Sequence, residues 1–437
     1  MIKKIKIILV LLIVIVIILS ISFFNNLNTL ETIAVKKDFN SILTNLNVSF
    51  ANIDSFLIYG THLNIKGNID ITPLEETKID TLSIVLKSQD LEEIEYPVNY
   101  DISNNKLNFY VSNNINDGIY LDNIEENNYI VLLKMSYLDE TCKYYSFNEF
   151  NTLKDLQYYT ISNNNKTKEL LFNYIYNSVS YISLNISNVT LPDNVYDITI
   201  DAGHGGKDSG ATNGTYYESD IVLDYSIELK KILELSGLKV LLTRESDEYV
   251  EEYGENGRAI LPNAVKSKYT FSLHLNSNEE DIVNGGIEIY CPNNCNTSFA
   301  KLLADNIVSY TGINYSGNTS YQIDKGVYVK NFTLNDITEA AEYAKKLGYE
   351  EYDITQNTPY LFMIRETGGK STNAYIDGRN TLYGDNIYNN SIIGNESYLL
   401  ELGYINCTKD LNSLISNKAN YLKAINESIL YLINNRL

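Results

Sequence analysis

Tryptophan is absent from this 437-residue chain, histidine occurs only three times and cysteine only four times. So few cysteines exclude a disulfide-built scaffold in a chain of this length. Cys291 and Cys295 flank Pro-Asn-Asn and are close enough to bridge across a turn, yet free thiols or small buried residues are the favoured reading. Nor do the four cysteines make a zinc site, because Cys142 and Cys407 lack a partner at the usual short spacing. Two catalytic signatures are missing as well. Gly205-Gly206-Lys207 does not have the spacing of a phosphate-binding loop, and no Gly-x-Ser-x-Gly elbow occurs. Positive charge is scarce too: 34 lysines and arginines stand against 55 acids, a formal net charge of −21. That balance argues against nucleic acid as a partner and against a charge-driven grip on anionic lipid.

What is present suits a folded protein of two or three domains, with 44% hydrophobic and 20% charged residues. Lys3, Lys4 and Lys6 precede an apolar run over residues 7–24. Eighteen helical residues span about 27 Å, close to a hydrocarbon core of about 30 Å. The lysines before the run place the N-terminus inside and the body outside the cell. The expectation is an uncleaved single-pass membrane anchor over residues 1–30, with a cleaved signal segment and a secreted body as the competitor.

Residues 31–192 read as an all-β, sandwich-like accessory domain. Short runs rich in Ile, Val, Tyr, Phe and Leu at 56–59, 63–65, 81–86, 106–111, 130–133 and 181–186 alternate with Asn/Asp/Gly clusters. One helical piece is expected at about 165–176. His62 has no second metal-competent side chain beside it and reads as a structural or surface histidine. After Leu191-Pro192-Asp193-Asn194 the rhythm changes to alternating strands and helices, the pattern of an α/β domain with a mostly parallel sheet flanked by helices, here 193–437. Strands are expected at 195–201, 239–242, 269–273, 287–290, 361–364 and 397–400, and helices at 218–236, 256–267, 298–310 and 415–433. Residues 312–360 and 366–395 fit poorly and read as insertions at the loop edge.

Within that domain three metal-competent side chains sit at element ends. His204 follows a strand inside Asp201-Ala202-Gly203-His204-Gly205-Gly206, Glu218 begins a helix, and His274 follows a strand in Ser272-Leu273-His274-Leu275-Asn276. Open α/β sheets form sites at the carboxyl ends of their strands, so these three can converge. Two imidazoles and a carboxylate leave a fourth position for water on a catalytic zinc. Glu401, in Glu401-Leu402-Gly403-Tyr404, stands where a base beside the metal is expected, and Asp201 or Asn276 are candidates to orient the ligands.

Asp201 to Gly210, together with Glu218, Leu242-Thr243-Arg244, Ser272–Asn276, the 286–290 run and the 400–406 run, resembles the signature of the zinc-dependent N-acetylmuramoyl-L-alanine amidases of the type 3 family. The resemblance covers about 195–437 and implies Zn2+ as cofactor, peptidoglycan as substrate, His204, Glu218 and His274 as ligands, and Glu401 as catalytic glutamate. It also implies that Arg365 lies near substrate, and Asn276 is read as a second candidate for contact with substrate. Ala202 stands for a more usual proline and Leu275 for a smaller residue, and 312–395 diverges, including Gly368-Gly369-Lys370-Ser371-Thr372. A protein activator acting through that segment is left open. The rival expectations are a zinc peptidase cutting within the stem peptide and a non-catalytic wall-binding protein.

Overall fold

The computed structural model describes residue 43 and residues 48–72, 76–89, 92–111, 118–162, 166–252, 256–278, 285–295, 297–348, 354–374 and 386–435. The expectation of a membrane-spanning helix is corrected here. No helix among the described residues is long and apolar enough to cross a membrane, and the run at 7–24 lies outside them. A transmembrane element and a single-pass location are therefore no part of the architecture below.

The first region is β-rich because its strands carry apolar side chains at every second position. In Val48–Tyr59 the buried residues are Ala51 and Ile53, then Phe56 and Ile58, with Tyr59 buried at the strand's end. The parity switches at the register shift between Ile53 and Ser55, where one extra residue turns the strand over. Thirteen strands join in one hydrogen-bonded network. It divides at Asn128–Tyr137, which pairs with Val179–Val189 through residues 128–131 and with Cys142–Phe147 through residues 133–136. The two halves fold over a shared core. Phe56 and Phe172 are four strand steps apart, about 19 Å in a flat sheet at the usual spacing. Their ring centroids are 5.4 Å apart.

The helix expected at about 165–176 is instead the strand Thr167–Asn177. Glu169-Leu170-Leu171-Phe172 favours a helix locally, but pairing on both sides with Leu156–Tyr159 and Val179–Val189 overrides that preference. Leu170 and Phe172 then point together into the core.

The second region is built on a seven-stranded sheet. Its order is Val240–Leu242, Ile198–Ala202, Tyr269–Asn276, Glu396–Tyr404, Glu288–Tyr290, Val327–Tyr328 and Gln322–Asp324. The first four strands are mutually parallel, and Glu288–Tyr290 runs antiparallel to Glu396–Tyr404. Residues 322–328, read as part of an insertion, thus extend the sheet. Helices Glu218–Leu235, Thr297–Thr311 and Lys418–Asn435 bury Leu229, Leu303 and Ile425 against it in one core. The strand expected at 361–364 is the short helix Phe362–Thr367, and the closing helix is two, Thr408–Ser416 and Lys418–Asn435.

The two regions are hydrogen-bonded to each other. The Ile58 amide donates to the Ile392 carbonyl at 2.7 Å and the Gly60 amide to the Gly394 carbonyl at 2.9 Å. The Thr61 and Tyr269 hydroxyls meet at 3.2 Å, and Asp197 Oδ1 accepts from the Ser162 amide at 2.9 Å. The β-rich region therefore abuts the segment that leads into the central strand Glu396–Tyr404.

Candidate metal centre

His204 lies just past the strand Ile198–Ala202, in a backbone conformation that only glycine adopts freely: its φ is +61°, followed by Gly205 at +126° and Gly206 at +57°. A non-glycine residue held there marks a site where surrounding structure dictates the turn. The turn aims the imidazole at Glu218, the first residue of Glu218–Leu235, with Nε2 3.1 Å from Glu218 Oε1. The same oxygen is 3.0 Å from His274 Nδ1 and accepts the Leu275 amide at 2.9 Å, while Oε2 accepts the Ala211 amide at 2.9 Å. Ligand atoms of His204, Glu218 and His274 all lie within 4.8 Å of one another.

Little room is left around them. A Cβ on Gly203 would fall 2.5 Å from His274 Cε1, and one on Gly210 would fall 2.6 Å from His204 Cδ2 and 2.7 Å from Glu218 Oε2. Burial pushes the Glu218 carboxyl up, but its contacts with His204 and His274 outweigh that and hold it well below the usual range. Burial lowers the His204 pKa, and Glu218 with Asp208 raises it above the ordinary value.

A buried polar frame positions the cluster, and most of it went unread in the sequence. Asp201, fully buried, accepts from Arg258 Nε and Nη2 at 2.8 Å each, from Thr243 at 2.8 Å and from Ser272 at 2.6 Å. Burial would raise its pKa, yet Arg258 brings it down to about 2. Arg244 donates to the carbonyls of Ala202, Gly203 and Ser219 at 3.0, 2.9 and 2.7 Å. One guanidinium thus ties the His204 turn to the start of the Glu218 helix. Asp208 Oδ2 faces His204 Nδ1 at 2.8 Å. Its position four residues after His204 was a usable signal; the distant Arg258 offered none.

Glu401 lies within its strand rather than at its end, as the register partner of His274. Its Oε2 is buried without a hydrogen-bond partner. Burial first, then Glu218 and Glu288, raise its pKa well above the usual carboxylate range. Asn276 follows His274 by two residues on the same strand, and its Oδ1 accepts the Ser277 amide at 2.9 Å. Arg365 is not gathered into the cluster. It is buried on the helix Phe362–Thr367, where it donates to Glu366 at 2.9 Å and to the carbonyls of Pro359 and Tyr360 at 3.2 and 2.7 Å.

Cys291 and Cys295 are free thiols. The donor set fits a metal ion: two imidazoles and a carboxylate converge, with an orphaned carboxylate oxygen on the adjacent strand.

An α/β sheet that brings this His-Glu-His group to the carboxyl ends of its strands belongs to the class of proteins able to hold a metal ion beside a buried acid. Residues 198–349, the stretch that carries His204, Glu218 and His274, match the family model described as N-acetylmuramoyl-L-alanine amidase (Amidase_3). The germination-specific N-acetylmuramoyl-L-alanine amidase of Bacillus subtilis is 33% identical over 91 residues, 18% of this chain and 38% of that protein. The probable cell wall amidase LytH of Staphylococcus saprophyticus is 28% identical over 192 residues, 43% of this chain and 59% of that protein. The chain thus spans less than two thirds of the length of these curated relatives. The crystal structure of an N-acetylmuramoyl-L-alanine amidase from Clostridium difficile 630 is 19% identical, with a TM-score of 0.37 over 56% of this chain and all of that one (100%).

Proposed function

We propose that this chain is a peptidoglycan amidase, hydrolysing the amide between the lactyl group of N-acetylmuramic acid and the L-alanine of the stem peptide. In this reading residues 193–437 are the catalytic unit, 31–192 an accessory unit, and the body acts outside the cytoplasm on peptidoglycan. The observation that carries it is the convergence of His204, Glu218 and His274, all within the stretch that matches this family model, with the unpartnered oxygen of Glu401 on the adjacent strand.

His204, Glu218 and His274 would hold a zinc ion. When bound, zinc lowers the pKa of a water toward about 7 and stabilises negative charge developing on a carbonyl oxygen. Glu401 takes the proton from the attacking water and returns it to the nitrogen of the departing L-alanine. Burial, then Glu218 and Glu288, raises its affinity for a proton, which suits a group that must take one from water and hold it between those two transfers. Asp208, by accepting from His204 Nδ1–H, fixes the tautomer that presents Nε2 toward Glu218. Arg244 and the Asp201–Arg258 pair keep the His204 turn and the Glu218 helix from drifting apart.

Incubating the zinc-loaded full chain with purified peptidoglycan and weighing the released fragments by mass spectrometry tests the reading. Intact stem peptides with a free alanine amine support it. Shortened peptides would point to a stem-peptide peptidase instead, and no release would point to a binding protein.

A further inference from the structure

A second buried carboxylate stands beside the cluster. Glu288 is fully buried and is the register partner of Glu401 on the neighbouring antiparallel strand, so the two side chains leave the sheet on one face. His274, Glu401 and Glu288 form a row across three strands, each step about 5 Å. Four donors converge on Glu288. The hydroxyls of Tyr404 and Ser316 reach Oε1 at 2.6 and 2.7 Å, and the Tyr290 hydroxyl and Asn318 amide reach Oε2 at 2.6 and 3.4 Å.

Each of those hydroxyls has one hydrogen and directs it at the carboxylate. What they offer in any other direction is lone pairs. Next to them opens a cavity of about 580 Å³, lined by Asn276, Asn278, Tyr290, Ser316, Asn318 and Tyr404, with no lysine or arginine on its wall among the described residues. The hydroxyl and amide oxygens of the wall, with the Glu288 carboxylate behind them, favour a ligand that brings hydrogens and positive charge.

We propose that this cavity is a subsite for a primary ammonium group. Resting on the amidase reading, that group is the side-chain amine of the stem peptide's diamino acid. The glycan's hydroxyl and N-acetyl groups are neutral, and the stem peptide's carboxylates would meet the acceptor oxygens backed by the Glu288 carboxylate unfavourably. The diamino-acid side chain is the part of the polymer that brings a cation. The cavity also lies in a suitable place. Asn276 on its wall is two residues beyond His274, about 7 Å along the strand, so a group held there sits alongside the reacting amide rather than on it.

The test is calorimetric titration of the zinc-loaded full chain with a stem tetrapeptide bearing its free side-chain amine, against the same peptide with that amine acetylated. The free-amine peptide should bind at least about tenfold more tightly, a difference of about 1.4 kcal/mol. Glu288→Gln should bring the two affinities within about twofold of each other. Asn318→Leu, at the cavity wall, should narrow the gap while leaving the buried carboxylate in place, and guards against a Glu288 variant that fails to fold. Equal affinities in the unaltered chain, or failure of both peptides to bind, would overturn the subsite. Turnover on whole peptidoglycan, measured separately, bears on the amidase reading alone, so the two can fail independently.

Discussion

The β-rich region buries a histidine and the α/β region half-buries two, and the two regions treat the imidazole in opposite ways. His62, 8% exposed, packs its ring 4.2 Å from that of Tyr120, with Glu396 at 3.9 Å, beyond hydrogen-bond reach. Burial dominates and lowers its pKa to about 4. His204 is also pushed down by burial, yet Glu218 and Asp208 touch both of its nitrogens and turn the shift upward. An imidazole becomes metal-competent here through the carboxylates that face it, and a merely buried one becomes a neutral strut. His62 and its neighbours Thr61 and Gly60 are where the β-rich region meets Tyr269 and Glu396.

The comparison breaks most severely if the cluster itself is altered. Alanine at His204 or at Glu218 should abolish bound zinc and lower turnover by roughly 10³-fold or more, read by metal analysis and an amidase assay. Alanine at His62 should leave the zinc content unchanged.

Gly210→Ala comes next. The added methyl would meet both the His204 ring and Glu218, at a φ of +63° that alanine resists. Zinc affinity should fall about 10- to 100-fold, the range seen when the support of ligands is disturbed. A competitive chelator titration measures it.

Asp201→Asn should cost about 3–5 kcal/mol, because Arg258 would be left as a buried, unpaired charge. Urea denaturation at pH 7 reads that loss. The sign with pH follows from the direction of the shift. With its folded pKa down at about 2, below the ordinary 3.8, Asp201 stabilises the chain above about pH 4, and that contribution is lost as pH falls toward 2.

The effect most narrowly confined in pH belongs to the strut. The unfolded chain takes a proton on His62 near the ordinary value of 6.5, while the folded chain refuses it until about 4. Stability is therefore complete above about pH 6.5 and declines by up to roughly 3 kcal/mol as pH falls toward 4. His62→Gln should flatten that part of the stability–pH curve, as followed by thermal melts at fixed ionic strength.

The sequence made the cluster legible because each member sits at an element end that its own neighbours announce. Glycines flank His204, a helix starts at Glu218, and an apolar strand runs into His274. Asp201 was read as a supporting residue for the same reason. Arg244 was visible only as part of a motif, and Arg258 not at all, since a guanidinium more than fifty residues away reveals its partner only when the chain folds. The strand Thr167–Asn177 and the helix Phe362–Thr367 were misread because each is decided by its neighbours: the first by strands on both sides, the second by a buried arginine bonding back to residues 359 and 360. The strands at 322–328 are two or three residues long, too short for alternation to register.

The central claim is that Glu401 moves the proton at a site that the other three residues hold. Its most direct test is Glu401→Gln in the full chain, with zinc content and amide hydrolysis measured on the same sample. The account predicts the zinc content of the unaltered chain with turnover lowered by roughly 10²- to 10⁴-fold, the span expected for a positioned general base. A Glu401→Gln chain that keeps its zinc and still releases stem peptides at near the normal rate would contradict it.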